Sequence, residues 1–204
     1  MARYRGPRVK CLRALGVDLP GLTRKSQERR PHPPGEHGQT ARRKESEYGI
    51  RLKEKQKLAL HYGLCEGQMR RYVRDARRSK MAMGDKLIEL LERRLDNVVF
   101  RAGFAPTMPA ARQLVTHGHF LVDGKKVHTP SYRTKVGMVV EPKTKSRDLA
   151  ALTECFEPSW GLRPNWLEID QEGKKATVKE NPTVSTVPFT FEPQLVVEFY
   201  SRVS

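Results

Sequence analysis

The sequence predicts an α+β protein in which a basic extended arm leads into helices, and the helices into a small antiparallel sheet. Three observations carry that expectation. Residues 1–80 hold 22 Lys and Arg against 8 Asp and Glu, whereas residues 81–204 hold 17 against 15, so most of the net +16 lies near the start. Apolar residues then recur with a helical period from about position 46 onward. Finally, an Asp123-Gly124 turn signal opens a series of short β-branched segments.

Residues 1–45 show no sustained apolar period and are punctuated by Gly6-Pro7, Pro20-Gly21 and "RRPHPPGEHGQ" (29–39). So little apolar surface cannot offset the entropy of ordering, so the arm is expected to be extended, mobile alone and ordered on a partner. "SEYGIRLKEKQKLALHYG" starts the helical part and has Gly63 as its stop. In "EGQMRRYVRDARRSK", Met69, Tyr72, Val73 and Ala76 form one apolar stripe, with Arg70, Arg71, Arg74, Arg77 and Arg78 around the rest. "GDKLIELLERRLDNVVFRAGF" reads as one further helix ending at Gly103. Thr107 caps the next, "PAARQLVTH", which stops at Gly118. "HFLV" and "KKV" flank the Asp123-Gly124 turn, and strands are expected at 132–140, 166–169 and 176–179. The four-residue spacing in "EPQLVVEFYSR" favours a terminal helix, with an edge strand as the alternative.

Composition excludes several functions. Cys11, Cys65 and Cys155 form no CxxC pair, which supports neither a zinc ribbon nor a disulfide framework. No apolar run reaches the length of a membrane helix, and the basic N-terminus lacks the apolar core of a secretory signal. His117 and His119 flank a glycine as a chelating pair would, but His117 falls at a helix end, Asp123 is explained by its turn, and no third ligand is indicated. GxSxG, GxGxxG and GxxxxGK[ST] patterns are all missing. The chain is therefore read as non-enzymatic, without cofactor, metal or small-molecule substrate.

Excess positive charge draws in polyanions, and nucleic acid is the first candidate partner. Arg93, Arg94, Asn97 and Arg101 are expected to line one side of a helix; Arg112 and Gln113 lie near the start of the following helix. The hairpin adds Lys125 and Lys126, while His117, His119 and Tyr132 can stack or hydrogen-bond. No helix-turn-helix spacing directs a helix into a B-form major groove, and a broad donor surface with a threading arm suits folded RNA.

"ERRLDNVVFRAGFAPTMPAARQLVTHGHFLVDGKKVHTPSYRTKVG" (92–137) closely resembles the RNA-binding module of the bacterial small-ribosomal-subunit protein four family. "MARYRGP", "PPGEHGQ", "YGIRLKEKQKLALHYG", "WLEID" and "LVVEFYSR" fall in that family's order, the first arguing against a transit peptide. The resemblance implies a cytoplasmic structural protein of the small subunit that binds ribosomal RNA, nucleates assembly of the subunit body and contributes to translational accuracy. It also implies contact with small-subunit ribosomal protein five and, around Arg42, Arg43 and Lys44, with messenger RNA where it enters the subunit. Several members repress their own operon. The alternative reading is an RNA-modifying enzyme or a free RNA chaperone carrying the same RNA-binding module. Some hold zinc with four N-terminal cysteines; only Cys11 lies in that region here, so the metal-free form is expected.

The implied organisation is a basic arm at 1–45 and a helical domain at 46–91, rejoined by 193–204. An inserted RNA-binding module follows at 92–192, with its core motif at 92–155. The expected RNA contacts in the arm are Arg3, Tyr4, Arg5, Arg8, Lys10, Arg13, Arg30, His37, Arg42, Arg43 and Lys44. The helical domain adds Arg51, Lys53, Lys57, Arg70, Arg71, Arg74 and Arg77. The module adds Arg94, Asn97, Arg101, Arg112, Gln113, His117, His119, Lys125, Tyr132 and Arg133.

Overall fold

A computed structural model describes residues 4–25, 27–28, 30–40, 44–147, 149, 152, 163–170, 172 and 174–203. The helices are α1 (Arg8–Leu15), α2 (Glu47–His61), α3 (Glu66–Arg77), α4 (Met83–Glu92), α5 (Leu95–Arg101), α6 (Met108–Thr116) and α7 (Pro193–Val203). The strands are β1 (Phe120–Val122), β2 (Lys125–Lys126), β3 (Val139–Pro142), β4 (Leu167–Asp170) and β5 (Lys175–Val178). Two compact units result: Met1–Leu87 with Pro188–Ser204, and Ile88–Val187.

In the first unit, the arm departs from its extended expectation. Residues 8–15 form α1, closed by Gly16, whose φ of 68° lets its N–H donate to the Leu12 carbonyl. Leu12, Leu15, Leu19 and Leu22 are all buried. These leucines recur every three or four residues, a signal obscured in the sequence by the charges around them. α2 begins where Ser46 Oγ accepts a hydrogen bond from the Gly49 N–H at 3.2 Å. α3 buries its stripe of Met69, Tyr72, Val73 and Ala76 as its spacing requires. α7 is a helix, not an edge strand, and packs on α2 and α3. Its buried Val196, Phe199 and Tyr200 supply the apolar face, each side chain of that size being worth about 1.5–3 kcal/mol. Polar contacts fix its register: Arg51 donates to Glu198 at 2.8 Å, and Tyr200 Oη to Glu66 at 3.1 Å.

In the second unit, five antiparallel strands lie in the order β2-β1-β3-β5-β4. Asp123 and Gly124, at φ 48° and 74°, make the tight turn between β1 and β2, as the two left-handed positions of a type I′ hairpin require. The Asp123 carboxylate also accepts from the Val139 N–H at 2.8 Å, tying the turn to β3. Phe120, Val122, Val140, Ala176 and Val178 are buried, and Phe104 meets Phe120 with ring centres 5.4 Å apart.

The long helix expected through Gly103 is broken between α4 and α5. Arg94 there has extended backbone (φ −68°, ψ 137°) and bridges antiparallel to Arg133. The Leu95 N–H donates to the Tyr132 carbonyl at 2.9 Å and the Thr134 N–H to the Arg93 carbonyl at 2.9 Å. This pairing also shortens the strand expected at 132–140, because its first residues bond to the helix break and β3 starts only at Val139.

Candidate RNA interface

Side chains in the second unit sort into a buried ionic frame and an exposed basic edge. Arg94 and Asp96, both 0% exposed, form a two-pronged pair, with Arg94 Nε donating to Asp96 Oδ1 at 2.9 Å and NH2 to Oδ2 at 2.5 Å. Arg112 approaches the same carboxylate at 3.9 Å. Asn97 donates to the Glu92 carboxylate at 2.9 Å, Arg101 lies 3.7 Å from Glu92, and Arg101 also donates to the Thr186 carbonyl. Arg93 links Glu89, at 2.7 Å, to the Thr134 carbonyl, also at 2.7 Å. These residues close the helix break and hold the 130–134 segment against it. The expected donor-lined helix face at Arg94, Asn97 and Arg101 is thus corrected. Their side chains face inward, where a charge persists only if paired and hydrogen-bonded.

The exposed edge is formed by α6 and the hairpin. α6 starts where Thr107 Oγ1 accepts from the Ala110 N–H at 3.3 Å, with Pro109 in its first turn, and ends at His117 and left-handed Gly118. Gln113, His117, Lys125 and Lys126 are exposed, and Arg112 is partly so. A Cβ at Gly118 would collide with the Lys126 side chain, so glycine lets that lysine lie across the end of α6. His117 and His119 have ring centres 6.1 Å apart. His119 Nδ1 and Ser146 Oγ share a hydrogen bond at 3.0 Å. Burial first, then the charges of His117 and Lys143, hold the His119 imidazole below its ordinary pKa. Tyr132 is half-buried with its hydroxyl toward the Met138 sulfur, and Arg133 is exposed.

In the first unit, α3 turns Arg70, Arg71, Arg74 and Arg77 outward, opposite its buried stripe. Arg70 is paired with Glu66 at 3.3 Å, and Arg77 donates to the Tyr200 carbonyl at 3.0 Å. Arg51, Lys53 and Lys57 pair with Glu47 and Glu198, Glu45, and Glu54 respectively. A phosphate would have to compete with those carboxylates. Arg8 donates to the Leu22 carbonyl and Arg13 to the His32 and Pro33 carbonyls, shaping the arm. Tyr4, Arg5, Lys10, Arg30, His37 and Lys44 are exposed; Arg3, Arg42 and Arg43 lie outside the described residues.

Lys143 and Ser146 were not singled out by sequence reasoning. They meet His119 only through the β1–β3 register, and no local spacing announces that contact. Among the described residues, no three His, Cys, Asp or Glu side chains could hold a metal ion, and no helix is long and apolar enough to cross a membrane.

A family model described as "Ribosomal protein S4/S9 N-terminal domain" matches residues 3–92, and one described as "S4 domain" matches 93–140. The chain is 50% identical over 203 residues to small ribosomal subunit protein uS4 of Methylobacillus flagellatus, covering 99% of each chain. It is 50% identical over 203 residues to protein uS4B of Nitrosomonas europaea, and 52% identical over 206 residues to uS4 of Trichodesmium erythraeum, again with 99% of each chain covered. Identity of that order along nearly the whole length, across both units, has one reading: the chain belongs to the uS4 family of small ribosomal subunit proteins.

Proposed function

We propose that this chain is a structural constituent of the small ribosomal subunit that binds ribosomal RNA. Its near full-length relationship to uS4 proteins carries the reading. The basic outer face of α3 and the basic edge of α6 and the hairpin supply the physical means. Both present cations on rigid elements with apolar cores behind them, the arrangement by which phosphates are held without reading base sequence. The role asks for no reaction chemistry.

Filter binding to a small-subunit ribosomal RNA transcript across a salt series tests this reading. Neutralising Z phosphates gives a log–log slope of roughly −0.7Z to −0.9Z, so six contacts predict about −4 to −5. A flat salt response, or equal affinity for an arbitrary duplex, would overturn it. Comigration with small subunits through a high-salt sucrose gradient is expected of a structural constituent, whereas a free RNA chaperone would leave a slow-sedimenting pool.

The finer roles rest on the family resemblance. They are early nucleation of subunit assembly, contact with small-subunit protein five, contact with incoming messenger around Arg42, Arg43 and Lys44, and an effect on translational accuracy. Ordered-addition reconstitution with and without the chain tests the first, and crosslinking from substituted positions tests the two contacts. Misreading by subunits carrying variants tests the last.

A further inference from the structure

We propose that His117, His119, Lys126 and Lys143 together hold one phosphate of the RNA backbone, and that the His119 imidazole takes up a proton when it binds. The inference rests on the RNA-binding reading and deepens it at one place. Lys126 lies opposite Leu121 in the β1–β2 pair, and Lys143 opposite His119, whose carbonyl accepts from the Lys143 N–H at 2.8 Å. Partners across an antiparallel pair share a face, and alternate residues along a strand return to it, so these side chains converge on one side of the sheet. His117 joins them from the end of α6, 6.1 Å from His119 between ring centres.

The remaining charged groups around His119 leave the cluster positive. Lys145 adds a further cation from the turn that carries Ser146. On β3, Glu141 is engaged by Lys175 at 3.5 Å and Arg147 at 3.7 Å. Asp123 is committed to the Val139 N–H. Ser146 holds one nitrogen of His119, which leaves the other for a ligand. Burial first, and the neighbouring cations after it, disfavour the protonated form of His119, and an anion placed among them offsets the cations' share. Proton uptake and phosphate binding then reinforce one another reciprocally.

Binding of a small-subunit ribosomal RNA transcript, at fixed ionic strength from about pH 8 to about pH 6, tests the coupling. Affinity is expected to tighten by about three- to tenfold as pH falls through the histidine range, one linked proton allowing at most about tenfold per unit. The H117Q/H119Q double variant keeps donors but cannot titrate, so it is expected to bind like the parent near pH 8 and to lose the pH slope. Calorimetry of the unaltered protein in two buffers of different ionisation enthalpy measures the proton directly and needs no variant. Binding without pH dependence, or a slope that survives in the folded double variant, overturns this inference and leaves RNA binding standing. No binding at any pH overturns both.

Discussion

Asp96→Ala tests the buried frame most directly, because Arg94 would keep its charge and lose its carboxylate while staying 0% exposed. Removing one partner of a buried pair costs about 3–5 kcal/mol, most of it from the stranded charge. The variant also loses the bond from the Asn97 N–H to Asp96 Oδ1, 3.0 Å in the structure, worth about 1 kcal/mol at a helix start. The combined loss of about 4–6 kcal/mol is comparable to the whole stability of many domains, about 5–15 kcal/mol. Urea unfolding followed by tryptophan fluorescence is the assay, since the tryptophans lie at 160 and 166 and Trp166 is 2% exposed. With a slope of about 1–3 kcal/mol per molar, the midpoint should fall by about 1.3 M or more. Adding Arg94→Met removes the stranded charge and should recover at least about 1.5 kcal/mol of the loss. A midpoint shift under about 0.5 M, or a double variant no more stable than Asp96→Ala, would refute the pairing argument.

Other outcomes follow from single features. Gly124→Val forces a β-branched residue to φ 74° and should destabilise the second unit by about 1–3 kcal/mol in the same urea assay, whereas Gly67→Ala, in open space on α3, should not. Replacing Arg71, Arg74 and Arg78 together by Gln should weaken RNA binding and flatten the log–log salt slope by about 2–3, with the melting temperature nearly unchanged. Burial alone would raise the Glu66 pKa, but hydrogen bonds from Lys55, Arg70 and Tyr200 outweigh it and hold the carboxyl below its ordinary value. That contribution is present above the unfolded value of 4.5 and is lost as pH falls through the folded one. Glu66→Gln should therefore reduce the acid sensitivity of unfolding below about pH 4.5 while lowering stability at neutral pH.

What depends on near neighbours was legible in the sequence. Thr107 caps its helix, the stripe of Met69, Tyr72, Val73 and Ala76 is buried, and Asp123-Gly124 turns the hairpin. In each case a few residues carry the whole geometric requirement. The family too was legible, since whole motifs stand in order along the chain. The candidate surface was legible only in part. An arginine at a helical position gives the same local pattern whether it meets water, phosphate or a buried carboxylate. Burial of Arg94, Asn97 and Arg101 is decided by Asp96, Glu92 and the Thr186 carbonyl. The helix break is likewise decided from a distance, by antiparallel pairing with the 130–134 segment. Sequence alone determined the fold class, most of the helical segments and how much charge the chain carries. Only the tertiary structure decided which of those charges became framework and which were left outward, because desolvation and pairing depend on residues brought near by folding.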